Sequence, residues 1–94
     1  MRRIRTHPGE VLREEFLVPL NMSANQLAEA IGVPANRISD IVRERRGVSA
    51  DTALRLGTHF DRSPMFWLNL QIAHELSKAQ AEVDLSTVQK LKVG

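Results

Sequence analysis

A chain of 94 residues has room for one compact domain and not for two, so every function must share a single core. Hydrophobic residues make up 43% of it, a globular share, but no apolar run approaches the ~18 residues that cross a bilayer. The absence of cysteine excludes disulfides and thiolate metal sites and fits a reducing cytoplasm.

Net charge is only +2, from 13 Lys and Arg against 11 Asp and Glu. Placement says more than the total. Eight of the basic residues fall in the first half, among them Arg37, Arg43, Arg45 and Arg46. A local cluster matters more to a phosphate than the sum, because screening confines charge effects to about 10 Å at moderate salt. The start, Met1-Arg2-Arg3-Ile4-Arg5, is basic like a signal peptide, but a proline, a glycine and charges follow it. No export signal is expected, and the expected location is cytoplasmic.

Helical signals recur along the chain. Pro8 suits a first turn, Glu10 suits the positive end of the helix dipole, and Val11, Leu12, Phe16 and Leu20 recur at helical spacing. This first helix is predicted to end near Pro19. Ser23 and Gln26 match a Ser-x-x-Gln capping box and open a second helix with Leu27, Ala28 and Ile31 inward. Gly32 stops it, and Pro34 opens a third, with Ile38, Ile41 and Val42 apolar and Gly47 at or just beyond its end. Ser49 caps a fourth helix, with Asp51 in its first turn and Ala53, Leu56, Gly57 and Phe60 as the buried stripe. Ser63 and Pro64 open a last helix predicted to run to about Glu82. Beyond it, Val83, Leu85, Val88, Leu91 and Val93 give a ragged pattern that leaves an extended arm, a short strand and disorder all open.

Residues 23–42 carry the functional signal. Ala28 is small where two helices cross closely, Gly32 permits the sharp turn, Val33 plugs the gap, and Leu27, Ile31, Ile38 and Ile41 form the seam that fixes the crossing angle. That is a helix-turn-helix. With its seam buried, the third helix exposes Ala35, Asn36, Arg37, Ser39 and Asp40, a face suited to a major groove. Arg pairs with guanine through two donors, Asn with adenine through its amide, and Ala meets a thymine methyl. Arg37 and Asn36 are the first choices for base reading. Asp40 is expected to accept from a cytosine amino group or to orient Arg37 or Arg43, and Ser39 to serve a base or a phosphate. Ser23, Asn25 and Gln26 at the start of the second helix, with Arg43, Arg45 and Arg46 in the loop, are expected to hold the DNA backbone. The competing reading is a plain helical hairpin with Arg37 on an ordinary surface.

Further segments extend the pattern. His7-Pro8-Gly9-Glu10, Asn36-Arg37-Ile38-Ser39-Asp40-Ile41, Ser49-Ala50-Asp51-Thr52-Ala53-Leu54-Arg55-Leu56 and Ser63-Pro64-Met65-Phe66-Trp67-Leu68-Asn69-Leu70-Gln71 together resemble HigA-type antitoxins, within the phage-repressor-like XRE superfamily. The resemblance covers about residues 6–76. It implies an all-α, five-helix phage-repressor-like fold, a homodimer, binding to the operator of its own operon, and neutralisation of a HigB-like toxin, a ribosome-dependent mRNA endonuclease. The Arg43-Glu44-Arg45-Arg46-Gly47 loop departs from the Asn-Gly-containing turn more usual in the family, and the tail, residues 83–94, falls outside the pattern.

The last helix carries two apolar stripes. Phe66, Leu70 and Ala73 form one; Met65, Leu68, Ile72, Leu76 and Ala79 form a second that a single core can hardly cover. The second stripe is expected to be a dimer seam, which places two reading heads about 34 Å apart and predicts a palindromic operator on double-stranded DNA. The alternative is that it packs under the N-terminal arm or the tail of its own chain. Trp67 is expected to fill the core.

An enzyme has little support, since His7, His59 and His74 are scattered and no nucleophile, base and acid share a local pattern. No His-Glu-x-x-His box occurs, so neither a metal nor another cofactor is expected. His59 with Asp61 and His74 with Glu75 read as surface pairs. Two further functions compete with the antitoxin: a stand-alone XRE-type repressor without a toxin, and a protein-interaction module that has lost DNA binding.

Overall fold

A computed structural model describes residues 4–92; Met1, Arg2 and Arg3 of the basic start and Val93 of the tail lie outside the described residues. The fold is all-helical, with five helices and no strand among the described residues. α1 begins as an α-helical turn, Pro8–Val11, and runs on as a π-helical segment, Leu12–Leu17. α2 spans Ala24–Ile31, α3 Ala35–Val42, α4 Ala50–Phe60 and α5 Pro64–Glu82, and a short 3-10 turn, Leu85–Thr87, follows.

The His-Pro-Gly-Glu start has a local physical logic. The His7 imidazole caps the helix, its Nδ1 accepting from the Gly9 N–H at 2.8 Å, and Pro8 occupies a position that needs no donor. Gly9 is required by contact: a Cβ there would lie 1.8 Å from the carbonyl oxygen of Ile41, so α1 crosses the end of α3 backbone to backbone. The π-helical turns then alter the face that α1 buries. Leu20, expected inward, is 56% exposed, and Leu17 is buried in its place. An α-helix repeats its inward position at Leu12, Phe16 and Leu20, whereas the wider turn steps from Leu12 to Leu17.

The remaining helix ends form as their side chains dictate. The Ser23–Gln26 box closes with bonds of 2.8 and 3.0 Å, and Gly32 takes the left-handed conformation, φ 74°, that ends α2. Ser49 Oγ accepts from Thr52 N, and Ser63 Oγ from Met65 N. Gly47 does not end α3. The chain turns earlier, at Glu44 with φ 62°, and Gly47 instead faces the Gln71 amide, where a Cβ would come within 2.8 Å.

Leu12, Leu27, Ile38, Ile41, Leu56 and Trp67 are fully buried, and Ala28 and Ile31 complete the seam between α2 and α3. Trp67 fills the core as expected. The rings of Phe66 and Phe16 pack against it at 5.0 and 5.1 Å, and the Arg62 guanidinium covers Phe66 at 4.9 Å.

Along α5, the described part of the N-terminal arm, from Ile4, covers one side. Arg5 N donates to Ser77 Oγ at 2.8 Å, and His74 Nδ1 donates to the Arg5 carbonyl at 2.8 Å. Phe66, Leu70 and Ala73 are half-buried, whereas Met65, Ile72, Leu76 and Ala79 are exposed and Leu68 is partly covered. The tail does not fold back over that second stripe, since Val83, Leu85, Val88 and Leu91 are themselves exposed. Extents of 56 × 27 × 21 Å and a radius of gyration of 16.4 Å reflect this projecting tail; a compact chain of this length has about 12 Å.

Candidate nucleic-acid interface

α3 positions the reading face. At 100° per residue, Ile38 and Ile41 point into the core, and Ala35, Asn36, Ser39, Asp40 and Arg43 lie on the opposite arc. Arg37 sits at the edge of that arc, towards α4. Ala35 and Asn36 are exposed, and Arg37, Ser39 and Asp40 are half-exposed. The Ser39 hydroxyl donates to the Asn36 carbonyl at 3.2 Å, which leaves its oxygen lone pairs free.

The orienting carboxylate is not the one the sequence suggested. Arg37 Nη1 contacts Asp51 Oδ1 at 3.4 Å, from the first turn of α4, while Asp40 makes no ion pair among the described residues. Asp51 Oδ1 also receives Arg55 Nε at 2.8 Å, and Arg55 Nη1 donates to the carbonyls of Ile31, at 2.9 Å, and Gly32. Arg55 therefore satisfies the last turn of α2. The signal was present as the i,i+4 spacing of Asp51 and Arg55. The Arg37 contact joins separate helices and has no such signature.

The expected backbone anchors flank this face. Arg43, Arg45 and Arg46 are exposed and make no ion pair among the described residues, so their charges are available to phosphates. Arg46 shares a groove with Arg37 and the start of α4, lined also by Gly47, Ser49 and Thr52. Asn25 is exposed, whereas Ser23 and Gln26 are partly committed to each other by the capping box. Arg13 supports the other end of α3: its Nη1 donates to the Val42 carbonyl and its Nη2 lies 3.7 Å from Glu44. The loop after α3 is tied to α5 through the buried Gln71, whose Oε1 accepts from Val48 N at 2.7 Å and whose Nε2 donates to Glu75 at 3.0 Å.

The histidines come together differently from the sequence reading. His7 and His74 form an edge-to-face pair with ring centroids 4.8 Å apart. Burial, then repulsion from His74, holds the His7 pKa below its usual value. His59 packs on Phe60, and neither His59–Asp61 nor His74–Glu75 forms an ion pair among the described residues. No group of three metal-ligating side chains occurs among the described residues, and no helix is long and apolar enough to cross a membrane.

Comparison with known proteins places these features in a family. A helix-turn-helix family model matches residues 12–67. Virulence-associated protein I of Dichelobacter nodosus is 51% identical over 76 residues, covering 81% of this chain and 70% of that protein. The structure of the antitoxin HigA of Pseudomonas aeruginosa with the higBA promoter superposes with a TM-score of 0.81 at 47% identity, over 87% of this chain and 97% of that one. That of the antitoxin GraA in complex with its operator gives 0.91 at 45% identity, over 99% and 97%. Other relatives are described as helix-turn-helix transcriptional regulators and as the antitoxin HigA-1 of Vibrio cholerae, 39% identical over 80 residues, 81% of this chain and 74% of that protein. On its fold, its helix-turn-helix and these relatives, the chain belongs to the XRE-type helix-turn-helix family and is a HigA-type member of it.

Proposed function

We propose that the protein is a cytoplasmic antitoxin that binds its own operator as a homodimer and represses transcription. The observation that carries this reading is the exposed face of α3 beside Arg43, Arg45 and Arg46, unpaired among the described residues, on a fold shared with HigA and GraA bound to promoter and operator DNA. Asn36 and Arg37 read base edges. Ala35 meets a thymine methyl, Ser39 serves a base or a phosphate, and Asp40 is left to accept from a cytosine amino group because Arg37 already has its carboxylate. Arg43, Arg45, Arg46 and the start of α2 at Ser23, Asn25 and Gln26 hold the backbone.

Two copies meet through Met65, Leu68, Ile72, Leu76 and Ala79. Support comes from the exposure of this stripe, which neither the N-terminal arm nor the tail covers among the described residues. A two-fold axis there presents two reading helices to successive major grooves of a palindrome. The partner to be neutralised is a HigB-like mRNA endonuclease, a reading supported by the HigA relationship.

The test is co-expression with the neighbouring reading frame, followed by co-purification and a gel shift on the shared promoter. A salt-sensitive shift of the promoter and a stable complex with a toxin are expected. A weakened shift in both Arg37→Ala and Arg45→Ala, with the salt slope reduced for Arg45→Ala, assigns the face; wild-type binding by both variants refutes it. A shift without any toxin in the complex favours a stand-alone repressor.

A further inference from the structure

We infer that Asp51 is a positioning residue for sequence reading: it holds Arg37 at the edge of the reading face and is itself fixed by Arg55 to the turn between the two helices. The inference rests on the operator-binding reading above and adds to it a residue outside the helix-turn-helix. A single carboxylate oxygen, Asp51 Oδ1, lies 2.8 Å from Arg55 Nε and 3.4 Å from Arg37 Nη1. Arg55 is anchored in turn, because its Nη1 donates to the Ile31 and Gly32 carbonyls at 2.9 and 3.3 Å. Gly32 admits this approach, since a Cβ there would crowd Arg55 Nη1 at 3.3 Å.

The chemistry suits selection more than affinity. A free arginine side chain samples many rotamers, and ordering it on a base edge costs free energy that falls on the cognate duplex and not on one where the side chain stays unordered. Held by one terminal nitrogen, the Arg37 guanidinium keeps its Nε and Nη2 donors as a planar pair, the arrangement that meets guanine O6 and N7. The Asp51 carboxylate is also 59% exposed beside the groove that Arg37 and Arg46 line. There it repels any phosphate displaced from register and penalises non-specific docking.

The experiment uses the full chain. A consensus duplex is enriched from a randomised pool by the wild-type protein, and binding is measured by fluorescence anisotropy against that duplex, each of its single base-pair substitutions and a scrambled duplex. Wild type is expected to show a site-specific profile, and Arg37→Ala to flatten it at the base pair that Arg37 reads. Asp51→Asn is expected to relax preference at that same base pair by about threefold to tenfold, with affinity for the scrambled duplex unchanged or raised. Asp51→Ala in the Arg37→Ala background is expected to relax nothing further. Arg55→Lys, which cannot bridge Asp51 and the carbonyls with one planar fork, is expected to relax that base pair by less. An Asp51→Asn profile identical to wild type overturns the inference, as does a loss spread evenly over all positions, which marks a purely structural role. A flat profile for wild type refutes operator binding itself, and the inference falls with it.

Discussion

Gln71→Leu tests the link between the arginine-bearing loop and the last helix. Gln71 is buried, and its Oε1 is the acceptor for the Val48 N–H at 2.7 Å. Val48 is itself 4% exposed, so water does not readily replace the lost acceptor. Leucine keeps most of the volume and removes the amide, leaving one buried backbone donor unsatisfied, at a cost of about 1–3 kcal/mol. In a domain of this size each kcal/mol lowers Tm by roughly 4–8 °C, so a fall of at least about 4 °C is expected. Hydrogen exchange at the Val48 amide should accelerate beyond what global destabilisation explains, because no regular helical bond protects it. The same substitution loosens Arg45 and Arg46, which immediately precede that anchor in the loop, and should weaken scrambled and specific duplexes alike. An unchanged Tm together with unchanged Val48 exchange would refute the reasoning.

Four further outcomes are expected. Gly9→Ala should destabilise despite alanine's better helix propensity, by about 1–3 kcal/mol or more in urea denaturation, because its Cβ meets the Ile41 carbonyl oxygen at 1.8 Å. Trp67→Ala should cost about 3–5 kcal/mol, a large share of the stability of a small domain, and show in thermal melts. The His7 pKa is lowered from 6.5 in the folded protein, so the unfolded chain binds more protons in that range and stability is full above about pH 6.5. It is lost as pH falls from there towards the lower folded value; His7→Asn, which keeps an N-capping acceptor without titrating, should flatten the dependence of the urea midpoint on pH over that window. Leu76→Glu on the exposed stripe should give monomer by size exclusion with light scattering, with little change in Tm of the monomer fold.

The hairpin was legible because its determinants are local. A capping box, a left-handed glycine and an inward row of Leu27, Ile31, Ile38 and Ile41 each act within one or two turns, and each leaves its spacing in the sequence. The face of α1 was misread at Leu20 because a π-helical turn preserves helicity while moving the inward position to Leu17, and no residue type marks it. Contacts that span the chain were also hidden. His7 meets His74, Gln71 meets Val48 and Asp51 meets Arg37 only after the helices pack, so Asp40, the nearer carboxylate in sequence, looked the better orienting partner.

Those long-range contacts converge on one place, the end of α3 and the loop that follows it. Gly9 brings α1 against the Ile41 carbonyl, Arg13 holds the Val42 carbonyl, and Gln71 of α5 holds Val48. The reading helix is thus fixed at its C-terminal end to α1, the loop that follows it is fixed to α5, and its N-terminal side is fixed by Arg37 to α4. The proposed recognition of a palindrome imposes this requirement. Two reading heads one turn of DNA apart discriminate half-site spacing only if the angle between helix and dimer axis is fixed. In the dimer proposed on α5, Gln71, one side chain in a buried bond, links the seam helix to the arginine loop. The exposed stripe on α5 and the exposed face on α3 are thus joined through the shared core, and under the proposed dimer half-site spacing follows from core packing and not from the loops.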